Sequence, residues 1–213
     1  MGMRGLGVAL VLALLGGVGG YAVGVLQRDQ PAVIASAAPV PASKPSLPVD
    51  PERPFSDYID YPALEPALDY KRHTLGDPPY AWSYRAPKYW APTQEYIDEI
   101  RWRPAGEPQV GGYSLRVKLI SENKTPEQMV AQKLAAVQGG YDDVEVIGRT
   151  PHLLSFSYRD PTTNTQRFNT FQWFTIPGES VAKFEMSVVG RDLDRAGLDD
   201  LEEQVASSVT KIQ

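Results

Sequence analysis

The chain has 213 residues, a net charge of −5 and no cysteine. That length allows one domain with extensions, and the acidic balance argues against a nucleic-acid binder, which would ordinarily be basic. The missing cysteine excludes disulfides, thiolate catalysis, thiolate metal sites and a lipid-modified N-terminal cysteine, so any domain outside the cytoplasm must stand on its core alone.

Gly5 to Leu26 is one uncharged apolar run between Arg4 and Arg28. At about 1.5 Å per helical residue it reaches roughly 33 Å, enough to cross a hydrocarbon layer. The expectation is an uncleaved anchor over residues 1–27, with the N-terminus in the cytoplasm and the bulk of the chain outside. The alternative is a signal peptide cleaved after Ala35-Ser36-Ala37 and a secreted product, but Arg28 and Asp29 precede that site and the run exceeds the usual signal-peptide core. Gly16, Gly20 and Gly24 repeat every four residues and share one helix face, where two backbones can approach. They are the candidate seam of a homodimer, the alternative being the ordinary frequency of glycine in membrane helices.

Residues 28–54 carry seven prolines among alanine and serine, a composition that favours an extended linker over a core. Residues 55–79 read as an irregular lead-in: Tyr58, Tyr61 and Tyr70 could cover a domain edge, and 63–71 could be a short helix. The globular pattern is expected over 80–213. Strands are expected at 81–86, which Pro87 ends, at 99–103, and at 114–120. In the last, Leu115, Val117 and Leu119 oppose Arg116 and Lys118. Thr125-Pro126-Glu127-Gln128 is a helix start, and Gly139-Gly140 stops that helix. Strands follow at 144–147 and 153–158.

The hairpin 167–189 then turns at Pro177-Gly178. Its first arm is apolar on both faces, with Phe171 and Trp173 one way and Phe174 and Ile176 the other, which marks a strand covered on both sides. A helix over 194–211 closes the chain, with Leu198, Leu201, Val205, Val209 and Ile212 on one face. The order β-β-β-α-β-β-β-β-α implies an α+β domain, an antiparallel sheet with helices packed on it.

Several of these segments together resemble the PsbP-like family, which includes the Ran-binding Mog proteins of eukaryotes and actinobacterial lipoproteins of the LpqN kind. The carriers are Tyr84-Arg85-Ala86-Pro87 followed by Trp90, the Glu99-Ile100-Arg101-Trp102 strand, the strand 153–158 before a polar turn, and the terminal amphipathic helix. The resemblance implies an α/β/α sandwich and a non-catalytic accessory or binding role, and it carries no ligand over. Pro151-His152 departs from the family pattern, which often has glycine there. The lipid-anchored members need a cysteine, so here the anchor would be the helix.

No motif declares an enzyme. His73 and His152 lie in no recognisable relay. Asp142-Asp143 and Asp199-Asp200 lack the further oxygen ligands of a calcium loop. No cofactor motif is found, and the sequon at Asn123 is already explained by Thr125 as a helix cap. One arrangement stands out. If 99–103 and 114–120 pair, Arg101, Arg103, Arg116 and Lys118 share one sheet face, where like charges destabilise unless offset. The offset is either internal, from Glu99, Glu145 or Glu185, or an anionic partner: a lipid head group, a cell-wall polymer or an acidic protein surface. The expected function is a membrane-tethered, extracytoplasmic binding module. The alternatives are a carrier or sensor of a small apolar ligand, which a cavity lined by Trp102, Phe171 and Trp173 would favour, and a hydrolase, which a histidine–carboxylate–hydroxyl cluster would favour.

Overall fold

The computed structural model describes residues 53–106, 108 and 110–212. The anchor over 1–27, its Gly16–Gly20–Gly24 seam and the linker up to residue 52 lie outside the described residues. Among the described residues no helix is long and apolar enough to cross a membrane.

The chain is α+β, with two antiparallel sheets and two helices. The strands are β1 (Tyr70–Leu75), β2 (Trp82–Pro87), β3 (Trp90–Tyr96), β4 (Glu99–Pro104), β5 (Ser114–Leu119), β6 (Asp142–Arg149), β7 (Leu153–Arg159), β8 (Gln166–Thr175), β9 (Ala182–Gly190) and β10 (Thr210–Lys211). The helices are α1 (Pro126–Gly140), between β5 and β6, and α2 (Arg195–Ala206), before β10. A seven-stranded sheet runs β3-β4-β5-β9-β8-β7-β6, and a three-stranded sheet runs β1-β2-β10.

Each face of the large sheet carries an apolar cluster, and a different layer covers each. On one face α1 lays Met129, Val130 and Val137 over Leu154, Phe156, Phe171 and Trp173. On the other, α2 and the small sheet bring Leu198, Leu201, Trp82 and Tyr84 against Leu115, Val117, Phe184, Met186 and Val188. This two-faced burial is what the mixed pattern of β8 requires, since Phe171 and Trp173 enter the first cluster while Phe174 and Ile176 pack on the second. Both clusters close within residues 61–209, so the domain carries its own core, as an independently folding unit must.

Helix α1 starts as the sequence predicts. Thr125 Oγ1 accepts from Gln128 N at 3.3 Å and Gln128 Oε1 accepts from Thr125 N at 3.0 Å, a reciprocal cap with Pro126 at the first position.

The structure corrects four expectations. There are two sheets rather than one. The lead-in is not irregular throughout: 70–75 forms β1 along β2, and 63–69 holds no helix. Trp90 begins a strand, β3, that the sequence reading omits. The terminal helix stops at Ala206, where Ser208 Oγ donates to Val205 O and accepts from Arg85 N, and the chain turns into β10 beside β2.

A buried pair fixes the lead-in. Arg191 and Asp194 are both fully buried, 2.8 Å apart. The Arg191 guanidinium also donates to the carbonyls of Tyr61 and Pro62, each at 2.8 Å, and Asp194 Oδ1 accepts from Leu64 N at 3.0 Å. A lone buried ion would be costly, and these backbone partners satisfy its remaining valences. Gly197 completes the seat, because a Cβ there would lie 2.2 Å from Leu64 O.

Candidate functional site

The register of β4 with β5 sets Arg101 opposite Arg116 and Glu99 opposite Lys118. Residues directly opposite share a face, and alternation adds Arg103. The four predicted cations therefore stand on one face, the face that α1 covers further along the sheet. Their partners differ. Arg116 bridges Glu99 Oε1, at 3.5 Å, and Glu185 Oε1, a short contact. Glu185 Oε2 accepts from Trp173 Nε1 at 2.8 Å, and Glu99 and Glu185 are both buried. Arg116 is thus the internal counter-ion of two buried carboxylates, and it leaves the set of candidate contact residues. Lys133 of α1 stands over the Phe171 ring at 4.2 Å. Burial and then the neighbouring Arg116 and Lys118 lower its pKa, against the raising effect of Glu185 and Glu99.

Arg101 Nε lies 3.1 Å from Glu95 Oε1, with both side chains about a third exposed (29% and 31%). The nitrogen nonetheless makes no geometrically sound hydrogen bond, so the contact is a Coulombic one. Exposed pairs of this kind contribute about 0–1 kcal/mol. Arg103 and Lys118 form no ion pair among the described residues. Glu145, the third carboxylate expected to offset the patch, stands on β6 opposite Ser157 instead.

Arg101 and Arg103 face a recess of about 160 Å³ together with Arg167, Tyr158, Asp160 and Ser114. Arg167, at the start of β8, is 5% exposed, and its two terminal nitrogens make short hydrogen bonds to the carbonyls of Gly111 and Gly112. These bonds hold the loop before β5 as one wall. Burial lowers the pKa of Arg167, a shift that Tyr158, Asp160 and Asp194 oppose. Burial pushes the Tyr158 hydroxyl up to about 12, so it remains a neutral donor at physiological pH. The recess therefore offers three guanidinium groups and a phenol against one wall carboxylate, Asp160. Guanidinium forks suit phosphate and carboxylate oxygens.

The sequence reading brings Arg101 and Arg103 to this site and omits Arg167. Strand alternation places residues on a face but does not say that Arg167, the second residue of β8, comes within reach of β4. The signal available was Arg167 beside Phe168, a long cation at the head of an apolar strand. Glu95 was missed because β3 was.

The other candidate residues do not converge. Trp102 lies on the small-sheet face, donating to Tyr84 Oη at 3.2 Å, while Phe171 stacks on Trp173 under α1, so the three aromatic residues line no common cavity. His73 packs on Trp102 with ring centres 4.3 Å apart, and burial lowers its pKa, with Lys71 adding to the shift. His152 is exposed between β6 and β7. Asp143 pairs with Arg159 at 2.5 Å, and Asp200 accepts from Ala67 N at 2.9 Å, so both acidic pairs serve the fold. Among the described residues no three acidic or histidine side chains are placed to hold a metal ion. No family model matches the chain, and no curated protein matches it.

Proposed function

We propose that the chain is a membrane-tethered, extracytoplasmic, non-catalytic binding module. It would be a PsbP-like α/β/α sandwich that holds an anionic group of its partner in the recess of Arg101, Arg103 and Arg167. One observation carries this reading: three guanidinium groups converge on one hollow, and Arg103 has no counter-ion among the described residues. Arg167 is rigid and buried, so it contributes fixed positive potential. Arg101 needs only to release a partly exposed contact to Glu95 that lacks a hydrogen bond. Arg103 is free to close on the ligand. A phosphate or a carboxylate satisfies this donor set equally.

The test titrates the full chain in zwitterionic detergent with two soluble polyanions, polyphosphate and polyglutamate, against Arg101→Gln/Arg103→Gln. The expected result is saturable binding of at least one polyanion, weakened by salt, because exposed charges are screened over about 8 Å at physiological ionic strength. The variant should keep its melting temperature and lose the binding. Equal binding by variant and wild type sinks the reading.

A further inference from the structure

The opposite end of the large sheet carries a second hollow. There the end of β5, the Pro177-Gly178 turn and the start of β9 face the small sheet, and two adjoining cavities of about 540 and 620 Å³ share Trp82, Ile176 and Lys211 as lining. Tyr80 and Leu119 continue the wall on one side, Phe174 and Val209 on the other. The reason for the opening lies in the fold. Strand β10 has two residues, so the small sheet ends before it covers the upper face of β8, and α2 has already stopped at Ala206.

Apolar atoms make up most of the groove's surface, and its polar side chains stand among them and at the two mouths. Gln172 lines it, and its Oε1 is buried with no hydrogen-bond partner. Lys183 lines it and forms no ion pair among the described residues. Lys211 Nζ donates to the carbonyls of Pro79 and Ile212. Asp98 and Glu179 stand at the same mouth as Lys183, and His152 at the other. Beside Asp98 the β3–β4 hairpin tip leaves Tyr96 68% and Ile97 90% exposed, and Tyr80 is 73% exposed.

A long, mainly apolar trough with an unpartnered amide oxygen in its wall and a lysine at its rim matches one ligand class. We infer that this groove binds a single-chain anionic amphiphile, its hydrocarbon along Trp82, Phe174 and Ile176 and its head group at Lys183. Two adjoining hollows that share a wall suit a chain better than a compact molecule, and both exceed the lower limit for ligand sites. An added peptide strand would need a line of backbone partners, and β10 offers two residues. The orphaned Gln172 oxygen favours amphiphiles that carry a hydroxyl or amide, since an unsatisfied buried acceptor is the costly alternative. This inference is independent of the arginine recess, which lies at the other end of β5.

The test uses residues 52–213, whose core is self-contained, and the fluorescent fatty acid 11-(dansylamino)undecanoic acid. Trp82 and Trp173 both line the groove and serve as energy-transfer donors. The expected result is saturable one-to-one binding below the probe's micellar concentration, with palmitate displacing it. Shorter fatty acids should displace less well, by roughly tenfold for each two methylenes removed. Lys183→Glu should weaken palmitate at least tenfold and leave hexadecanol unchanged. Thr210→Trp, made from an exposed position on the groove, should abolish binding of all of them at an unchanged melting temperature. Arg101→Gln/Arg103→Gln should change nothing. A signal that appears only above the micellar concentration overturns the inference, and so does binding that is equal in wild type, Lys183→Glu and Thr210→Trp.

Discussion

Replacing Arg116 by methionine tests the charge network under α1. Arg116 holds Glu185 through a short contact and Glu99 at 3.5 Å, and these carboxylates are 5% and 4% exposed. Removing one member of a buried pair costs about 3–5 kcal/mol, because the other is left as an uncompensated charge. Two features place the cost near the bottom of that range. The Arg116 side chain keeps 22% exposure, so its own ions are partly solvated, and Lys133 remains close enough to Glu185 to act on it through Coulomb attraction. Arg116→Met should therefore lose about 3 kcal/mol in urea unfolding followed by tryptophan fluorescence. Arg116→Met/Glu185→Gln should recover part of that loss, because the amide carries no charge and still accepts from Trp173 Nε1. A loss under about 1 kcal/mol, an ordinary mutational effect, would refute the argument, as would a double variant no more stable than the single one. By the same reasoning, a charge reversal at Arg116 cannot serve as a surface test of partner binding, since it would place a third carboxylate beside two buried ones.

Trp173→Ala should cost about 3–5 kcal/mol in the same assay, since Trp173 is 2% exposed and supplies the indole donor to Glu185; a loss below about 1 kcal/mol would place it on a surface instead. Gly197→Ala should destabilise by about 1–3 kcal/mol through overpacking against Leu64 O, even though alanine is the better helix former by about 1 kcal/mol; a stabilised variant would mean that the lead-in does not pack there. His73 has its pKa lowered in the folded state, so the unfolded chain binds the proton first as pH falls below about 6.5. Its contribution to stability is therefore intact above that value and declines below it, toward the folded pKa. Melting curves between pH 7 and 5 should show a shallower decline for His73→Phe than for wild type, and parallel curves would contradict the burial of His73 against Trp102.

Much of the fold is legible where one physical signal dominates. The alternation of β5 places Leu115 and Val117 on one face and Arg116 and Lys118 on the other, and the Pro177-Gly178 break between two apolar arms gives the β8–β9 hairpin. The failures fall at edges. Strand β3 buries Trp90 alone, exposes the next six residues and contains Pro92, so no period of two shows; as the outer strand of its sheet it tolerates proline. Strand β1 is another edge, with Lys71, Arg72 and Thr74 exposed. The last turn misleads because Val205, Val209 and Ile212 keep helical spacing beyond the helix end. Ser207-Ser208 and the β-branched Val209-Thr210 are the signals against it. At the site, the shared face of Arg101, Arg103 and Arg116 was readable from phase. Their division into an internal counter-ion of buried carboxylates and recess-lining cations was not, because it depends on Glu185 from β9 and Arg167 from β8.

The arginine recess is tested most directly by the side-chain Nε–Hε resonances of Arg101, Arg103 and Arg167 in residues 52–213, followed during titration with polyphosphate or polyglutamate. Saturable shifts should appear at Arg101 and Arg103 with one common dissociation constant, should weaken with added salt, and should spare Arg116, which is held by Glu99 and Glu185. Shifts spread evenly over the surface arginines, or none at Arg103, would contradict the recess as the anion-binding site.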